Sequence, residues 1–140
     1  MPEYRDDRPI SYADLLPLMK QTSWMESRTE EQVMSMLQHS LVVSVWEKDV
    51  LVGFGRALTD HVCRAFIEDI VIDEKHRHQG VGSTLMRHLL ERLKDVEQIQ
   101  LDCVEELVGF YGALGFERSS QPKMILRKAV PEQSQSSITS

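Results

Sequence analysis

The stretch Asp73 to Leu85, DEKHRHQGVGSTL, follows the apolar run FIEDIVI and gathers groups suited to holding an anion. Arg77, His78 and Gln79 bring donors, and Gly80 and Gly82 allow a backbone to approach a ligand with no Cβ in the way. The pattern that follows is helical, so Val81, Gly82 and Ser83 fall in a first turn. Amides there have no partner inside the helix, and the helix dipole favours negative charge. A phosphate or pyrophosphate is the natural guest. Just ahead of the loop, Glu68 and Asp69 interrupt a strand that is otherwise apolar. Burying a carboxylate without a partner costs on the order of several kcal/mol, so such an acid serves an ion pair or chemistry. In a regular strand the two side chains point to opposite faces, and at most one of them meets a substrate directly.

Three kinds of phosphate loop compete for this pattern. A P-loop requires GxxxxGK[ST], and no such run exists in the chain. A dinucleotide-binding fold requires GxGxxG directly after the strand. Here Leu85 holds the third glycine position and Asp73 to Gln79 intervene, although Asp102 lies about 20 residues further on, as that motif asks. The third reading is the pyrophosphate of coenzyme A.

The elements that must position these groups are legible from spacing. Asp14 as N-cap predicts a short helix from about Leu15 with Pro17 in its first turn, and Ser11 competes for the cap. Thr29 and Gln32 form a capping box ahead of Val33, Met34, Met36 and Leu37, whose stripe reads as core. LVVSVWE and VLVGFGRAL are strands joined through Lys48 and Asp49, and RAFIEDIVID is a third. Val81, Leu85, Leu89, Leu90, Leu93 and Val96 recur at helical spacing, and IQLDCV returns as a strand. That strand–helix–strand unit should be parallel and right-handed. ELVGFYGAL predicts a short helix ending at Gly115, and FERSS and KMILRK predict two closing strands. The order implies an α/β (α+β) fold, a mixed central sheet flanked by helices with a parallel pair in the middle.

The chain has 140 residues, which favours one domain over residues 1–130, followed by a polar tail at 131–140. A formal charge of −6 without a polybasic arm argues against nucleic acid as a partner. No apolar run approaches a membrane span, and the N-terminus lacks the apolar segment of a signal peptide, so a cytoplasmic protein is expected. Cys63 and Cys103 are far apart and read as reduced thiols. His76 and His78 flank Arg77, but without a third ligand they do not make a metal site.

RHQGVG followed by STL resembles the (Arg/Gln)-x-x-Gly-x-(Gly/Ala) signature of the GNAT N-acetyltransferase superfamily. FYGALGF, from 110 to 116, resembles its second signature, and the resemblance spans roughly residues 40 to 128. It implies the GNAT fold, whose central parallel strands splay apart, with acetyl-CoA as cofactor. Ile70, Val71 and Ile72 would then pair through their backbone with the pantetheine arm, while Arg77 through Gly82, with Ser83, would cradle the pyrophosphate. The implied reaction is attack of an amine on the thioester. An alkylammonium has a pKa near 10.4, so only about one in a thousand is neutral at pH 7, and a base must take a proton. Glu68 or Asp69 fills that role, and Asp102 orients the amine or a water. Tyr111 matches the family's general acid and would touch the cofactor; its alternative is packing on Phe110. Many family members carry Asn at the position of Leu107, so the loop, or Glu106, would take over that cofactor contact.

Trp24 and Met25 either cover the acceptor or cap the core, and Arg56 either binds an acidic or aromatic acceptor or is an exposed strand arginine. IEDIVI, LDC and VGFY are similar to glucosamine-phosphate N-acetyltransferases, whereas SVWEKDVLVGFGRALTD fits enzymes assigned to arylalkylamines such as serotonin. A small-molecule amine is the expected acceptor. A peptide or lysine acceptor, and a non-catalytic acyl-CoA sensor, are the rival readings. Dimers are common in that family, although no residue here specifies an interface.

Overall fold

The structure, a computed structural model, describes residues 1–128; the expected polar tail lies outside the described residues. Five strands form one sheet in sequence order: β1 (Glu3–Arg5), β2 (Leu41–Glu47), β3 (Val50–Thr59), β4 (Arg64–Ile72) and β5 (Gln98–Leu101). All neighbours are antiparallel except β4 and β5, which are parallel as the strand–helix–strand pattern requires, but at the edge of the sheet rather than in its middle as expected, because no strand follows β5 among the described residues. Lys48, with φ 56°, turns the β2–β3 hairpin. The edge strand β1 is too short and charged to stand out in the sequence.

Helices cover both faces. On one side, α1 (Tyr12–Met19) and α2 (Glu30–Gln38) close a cluster of Leu15, Leu18, Met25, Val33, Phe54 and Val71. On the other, α3 (Val81–Arg92) and α4 (Val108–Gly112) cover Val43, Ala57, Ile67, Leu85, Leu89 and Tyr111. The Thr29–Gln32 capping box starts α2 as expected. Gly115, at φ 103°, ends the α4 turn in a Schellman motif: its amide donates to Gly112 C=O, and that of Phe116 to Tyr111 C=O.

Four further expectations are corrected. Ser11, not Asp14, caps α1, because Ser11 and Asp14 satisfy each other's amides in a full capping box. Pro17 consequently sits inside the helix. Met34 is 42% exposed, on the outer side of α2, while Met36 and Leu37 pack inward. FERSS and KMILRK form no strands: residues 117–128 are exposed and pair with no sheet. Strand propensity needs a partner edge to act on. Here Arg118 and Lys123 are instead drawn into ion pairs with Glu105 and Asp102.

The fourth correction concerns Glu68 and Asp69. Between the pairs Phe54↔Val71 and Arg56↔Glu68, two residues of β4 oppose the single Gly55 of β3, and Asp69 takes φ 54°. This β-bulge shifts the alternation by one residue. Ala65 and Ile67 face α3 before it, and Ile70 and Ile72 face α3 after it. Glu68, cross-strand neighbour of Arg56, and Asp69, hydrogen-bonded to Arg56, therefore share the α1–α2 face.

Candidate active site

The site begins where β4 and β5 part. Their pairing runs from Arg64↔Gln98 to Ile67↔Leu101 and stops, while β4 continues to Ile72. From Glu68 to Ile72 the β5-side edge of β4 has no strand partner, so apart from the Ile72 carbonyl its backbone groups are open to an extended ligand. The first residues past the last pair are Glu68 on one strand and Asp102 on the other.

At the far end of that edge lies the glycine loop. Asp73 anchors it, accepting from Gln21 Nε2 at 2.8 Å and bonding His76 Nδ1 at 3.0 Å. Arg77 Nε donates to Ile72 C=O at 3.0 Å, and His78 has φ 64°. Gly80 is the N-cap of α3 at φ 81°, a conformation that favours glycine. No side chain caps this helix, and no acceptor in the described residues takes the Val81, Gly82 or Ser83 amides. A Cβ added at Gly82 would lie 3.7 Å from Phe110 and 3.9 Å from Ile72. The two glycine motifs and the end of β4 therefore meet at one point.

At the near end sits an ionic cluster. Asp69, 1% exposed, accepts from Trp24 Nε1 at 2.9 Å, Arg28 Nη1 at 2.8 Å and Arg56 Nε at 2.6 Å. Burial by itself would raise its pKa, but the hydrogen bonds and charges of Arg28 and Arg56 hold it below the usual carboxylate range. Arg56 is buried, which corrects the exposed-arginine alternative, and its Nη1 donates to Ser40 Oγ at 3.0 Å. It also lines an open pocket of about 560 Å³ whose wall includes Glu31, Ser35, His39 and Ser40. Trp24 thus does more than cap the core, since its indole holds Asp69.

Glu68 stands beside this cluster, half-buried and accepting no hydrogen bond among the described residues. Burial raises its pKa, the charge of Asp69 adds to that, and Arg56, Arg28 and Lys123 oppose it. On the α3 side, Tyr111 is 4% exposed and held edge-on between Phe110 and Phe116, at centroid distances of 4.9 and 5.9 Å. Burial, followed by the charge of nearby Cys103, pushes its phenol up to about 12. It is therefore fully protonated at neutral pH. Asp102 is paired with Lys123, and both cysteines are free thiols. Leu107 packs into the α3-side cluster. Among the described residues no cluster of His, Cys, Asp and Glu could hold a metal ion, and no helix is long and apolar enough to cross a membrane.

Sequence reasoning missed Arg28, Ser40 and Lys123. Arg28 lies just ahead of the α2 cap, and nothing local ties it to an acid 41 positions later.

A mixed sheet whose parallel strands part beside an uncapped, glycine-led helix defines the GNAT fold. The family model for the acetyltransferase (GNAT) family matches residues 4–116, and the chain belongs to that family. A GNAT-family acetyltransferase structure from Streptococcus pneumoniae superimposes with TM-score 0.77 at 29% identity, covering 91% of this chain and 100% of that one. Serotonin N-acetyltransferase 2, chloroplastic, of Oryza sativa is 36% identical over 98 residues, 64% of this chain and 48% of that protein. GCN5-related N-acetyltransferase 2, chloroplastic, of Arabidopsis thaliana is 38% identical over 69 residues, 48% of this chain. The chain spans only about a quarter of that relative's length, 27%.

Proposed function

We propose that this protein transfers the acetyl group of acetyl-CoA to the primary amine of a small molecule by direct attack in a ternary complex. The observation that carries this reading is the unpaired edge of β4, which leads from the free amides of α3 to Glu68. Coenzyme A supplies the activated thioester, and the chain's own groups do the rest. The amides of Val81, Gly82 and Ser83, with Arg77, His78, Gln79 and the turn at Gly80, bind the pyrophosphate. The backbone of Ile70, Val71 and Ile72 pairs with the pantetheine arm as an added strand would.

Glu68 accepts the proton of the attacking amine, directly or through water; its raised pKa makes it the better base of the two acids. Asp69, held ionised by two arginines, fixes the bulge that aims Glu68 and is not the proton acceptor. A free amide of the β4 edge stabilises the oxyanion. Tyr111, protonated at neutral pH, returns a proton to the leaving thiolate. The pocket beside Arg56 receives the body of the acceptor. Similarity to a serotonin N-acetyltransferase supports an arylalkylamine. The Arg56 guanidinium at the pocket favours an anionic group, as on an aminosugar phosphate.

The test is release of coenzyme A thiol from acetyl-CoA across a panel of serotonin, tryptamine, glucosamine phosphate, polyamines, amino acids and peptides, with Tyr111→Phe alongside. Turnover with one small amine, lost in the variant, supports the reading. Acetyl-CoA bound without turnover on any amine overturns it in favour of a sensor, and turnover with peptides alone replaces the acceptor class.

A further inference from the structure

Strands β4 and β5 separate directly after Ile67↔Leu101, so Glu68 and Asp102 flank the opening from either side. Beside that opening the C-terminal segment places an alkylammonium. Lys123 Nζ is ion-paired with Asp102, and its charge also reaches Glu68. Asp102 precedes Cys103, which in turn lies beside the Tyr111 phenol. The Lys123 ammonium therefore sits on the carboxylate that flanks the opening from the β5 side, near enough for its charge to act on Glu68.

The segment around it is not built into the sheet. Residues 117–128 are all exposed, and Met124, Ile125 and Leu126 remain 91%, 51% and 85% accessible. Side-chain ion pairs of Arg118 and Lys123 lay it against the domain. Lys94, by contrast, pairs with Glu91 on the surface of its helix end.

We propose that Lys123 is an acceptor for the enzyme's own acetyl group, making it a site of intramolecular acetylation. This rests on the acetyl-CoA reading of the site given above. The ammonium first loses a proton to a carboxylate at the opening, and the neutral amine attacks the thioester carbonyl. The new C–N bond forms as the C–S bond breaks, the amide nitrogen sheds its second proton, and the thiolate takes a proton from Tyr111. The products are Nε-acetyl-Lys123, free coenzyme A and one released proton. Acetylation also removes the charge that binds Lys123 to Asp102, which frees both carboxylates for an external amine.

The experiment incubates the full chain with acetyl-CoA alone and follows intact mass and peptide maps over time, at two protein concentrations tenfold apart. A parallel set runs the amine panel. The expected result is one acetyl group, located on Lys123, appearing at a rate independent of protein concentration. It should be absent in Lys123→Arg and slowed roughly 10²-fold or more in Tyr111→Phe, the size of effect a lost general acid produces. An unmodified Lys123 in an enzyme that acetylates a panel amine overturns the proposal and leaves the catalytic reading standing. Equal modification in Tyr111→Phe, or equal modification of Lys48 and Lys94, overturns it as plain chemical acetylation. A rate that rises with protein concentration overturns the intramolecular geometry. Failure to bind acetyl-CoA or acetylate any amine removes the catalytic reading and this proposal together.

Discussion

Asp69→Asn is the sharpest probe of the architecture. Asn tolerates the positive φ of this position, so the substitution removes charge while leaving the bulge's backbone accessible. The Asp69 carboxylate is 1% exposed and lies 2.6 Å from Arg56 Nε and 2.8 Å from Arg28 Nη1. At an effective dielectric of about 20, a unit pair at such a separation attracts by roughly 6 kcal/mol. Desolvation of the charges takes back much of that, and removing one member of a buried pair costs about 3–5 kcal/mol. The guanidinium at Arg56 is itself buried, and in the variant it keeps only neutral acceptors, the amide oxygen at position 69 and Ser40 Oγ, with no charge to balance its own.

For a chain of this size that loss corresponds to a fall in Tm of about 10–20 °C, read by calorimetry or by chemical denaturation. The pH dependence follows in sign. A carboxylate whose folded pKa is depressed contributes stability above the ordinary carboxylate range and loses it as pH falls through the folded value. The Asn variant should therefore show a flatter acid limb than the parent. Charge-compensated Arg56→Met in the Asn background should recover part of the deficit. A loss below about 1 kcal/mol, with the acid limb unchanged, would refute the buried-anchor reasoning.

Glu68→Gln should lower kcat by about 10²–10⁴ with acetyl-CoA affinity nearly unchanged. In the parent, kcat/KM should rise with pH through the raised pKa of Glu68, and that limb should disappear in the variant. Tyr111→Phe should lower turnover far more than cofactor affinity, and equal effects on both would make Tyr111 a packing residue. With its phenol pushed up to about 12, no alkaline limb below about pH 10 should trace to it. Gly82→Val should weaken acetyl-CoA binding at least roughly tenfold in calorimetry, and Gly82→Ala should keep the parent Tm, because a Cβ there meets nothing closer than 3.7 Å. Gly80→Ala should instead lower stability by about 1–2 kcal/mol, the cost of placing a Cβ in the left-handed region.

Local chemistry was readable from the chain alone. The Thr29–Gln32 capping box, the Lys48 turn, the Gly115 helix end and the apolar period of α3 each depend on residues within a few positions of one another. The glycine loop belongs with them, because a strand end, two glycines and a helix start leave unpartnered amides within a few residues of one another. The last two strands misled for the opposite reason. KMILRK has strand composition, but a strand exists only against an edge, and side-chain ion pairs hold that segment elsewhere.

Which way Glu68 and Asp69 face was decided by the sheet. Alternation along β4 predicted opposite sides, and the extra residue opposite Gly55 put both on one side. No pattern in FIEDIVI encodes a bulge, because it is set by the register of β3. Asp69 likewise acquired Trp24, Arg28 and Arg56 from three segments up to 45 positions away, and only packing brings such charges within bonding distance. The sequence by itself determined the β2–β3 hairpin, β4, the α2 start, the α3 period and the strand–loop–helix setting of the glycines, through interactions of short range along the chain. Tertiary structure decided which acid is pinned and which is free to take a proton, because burial and long-range charge pairing exist only once the sheet has closed.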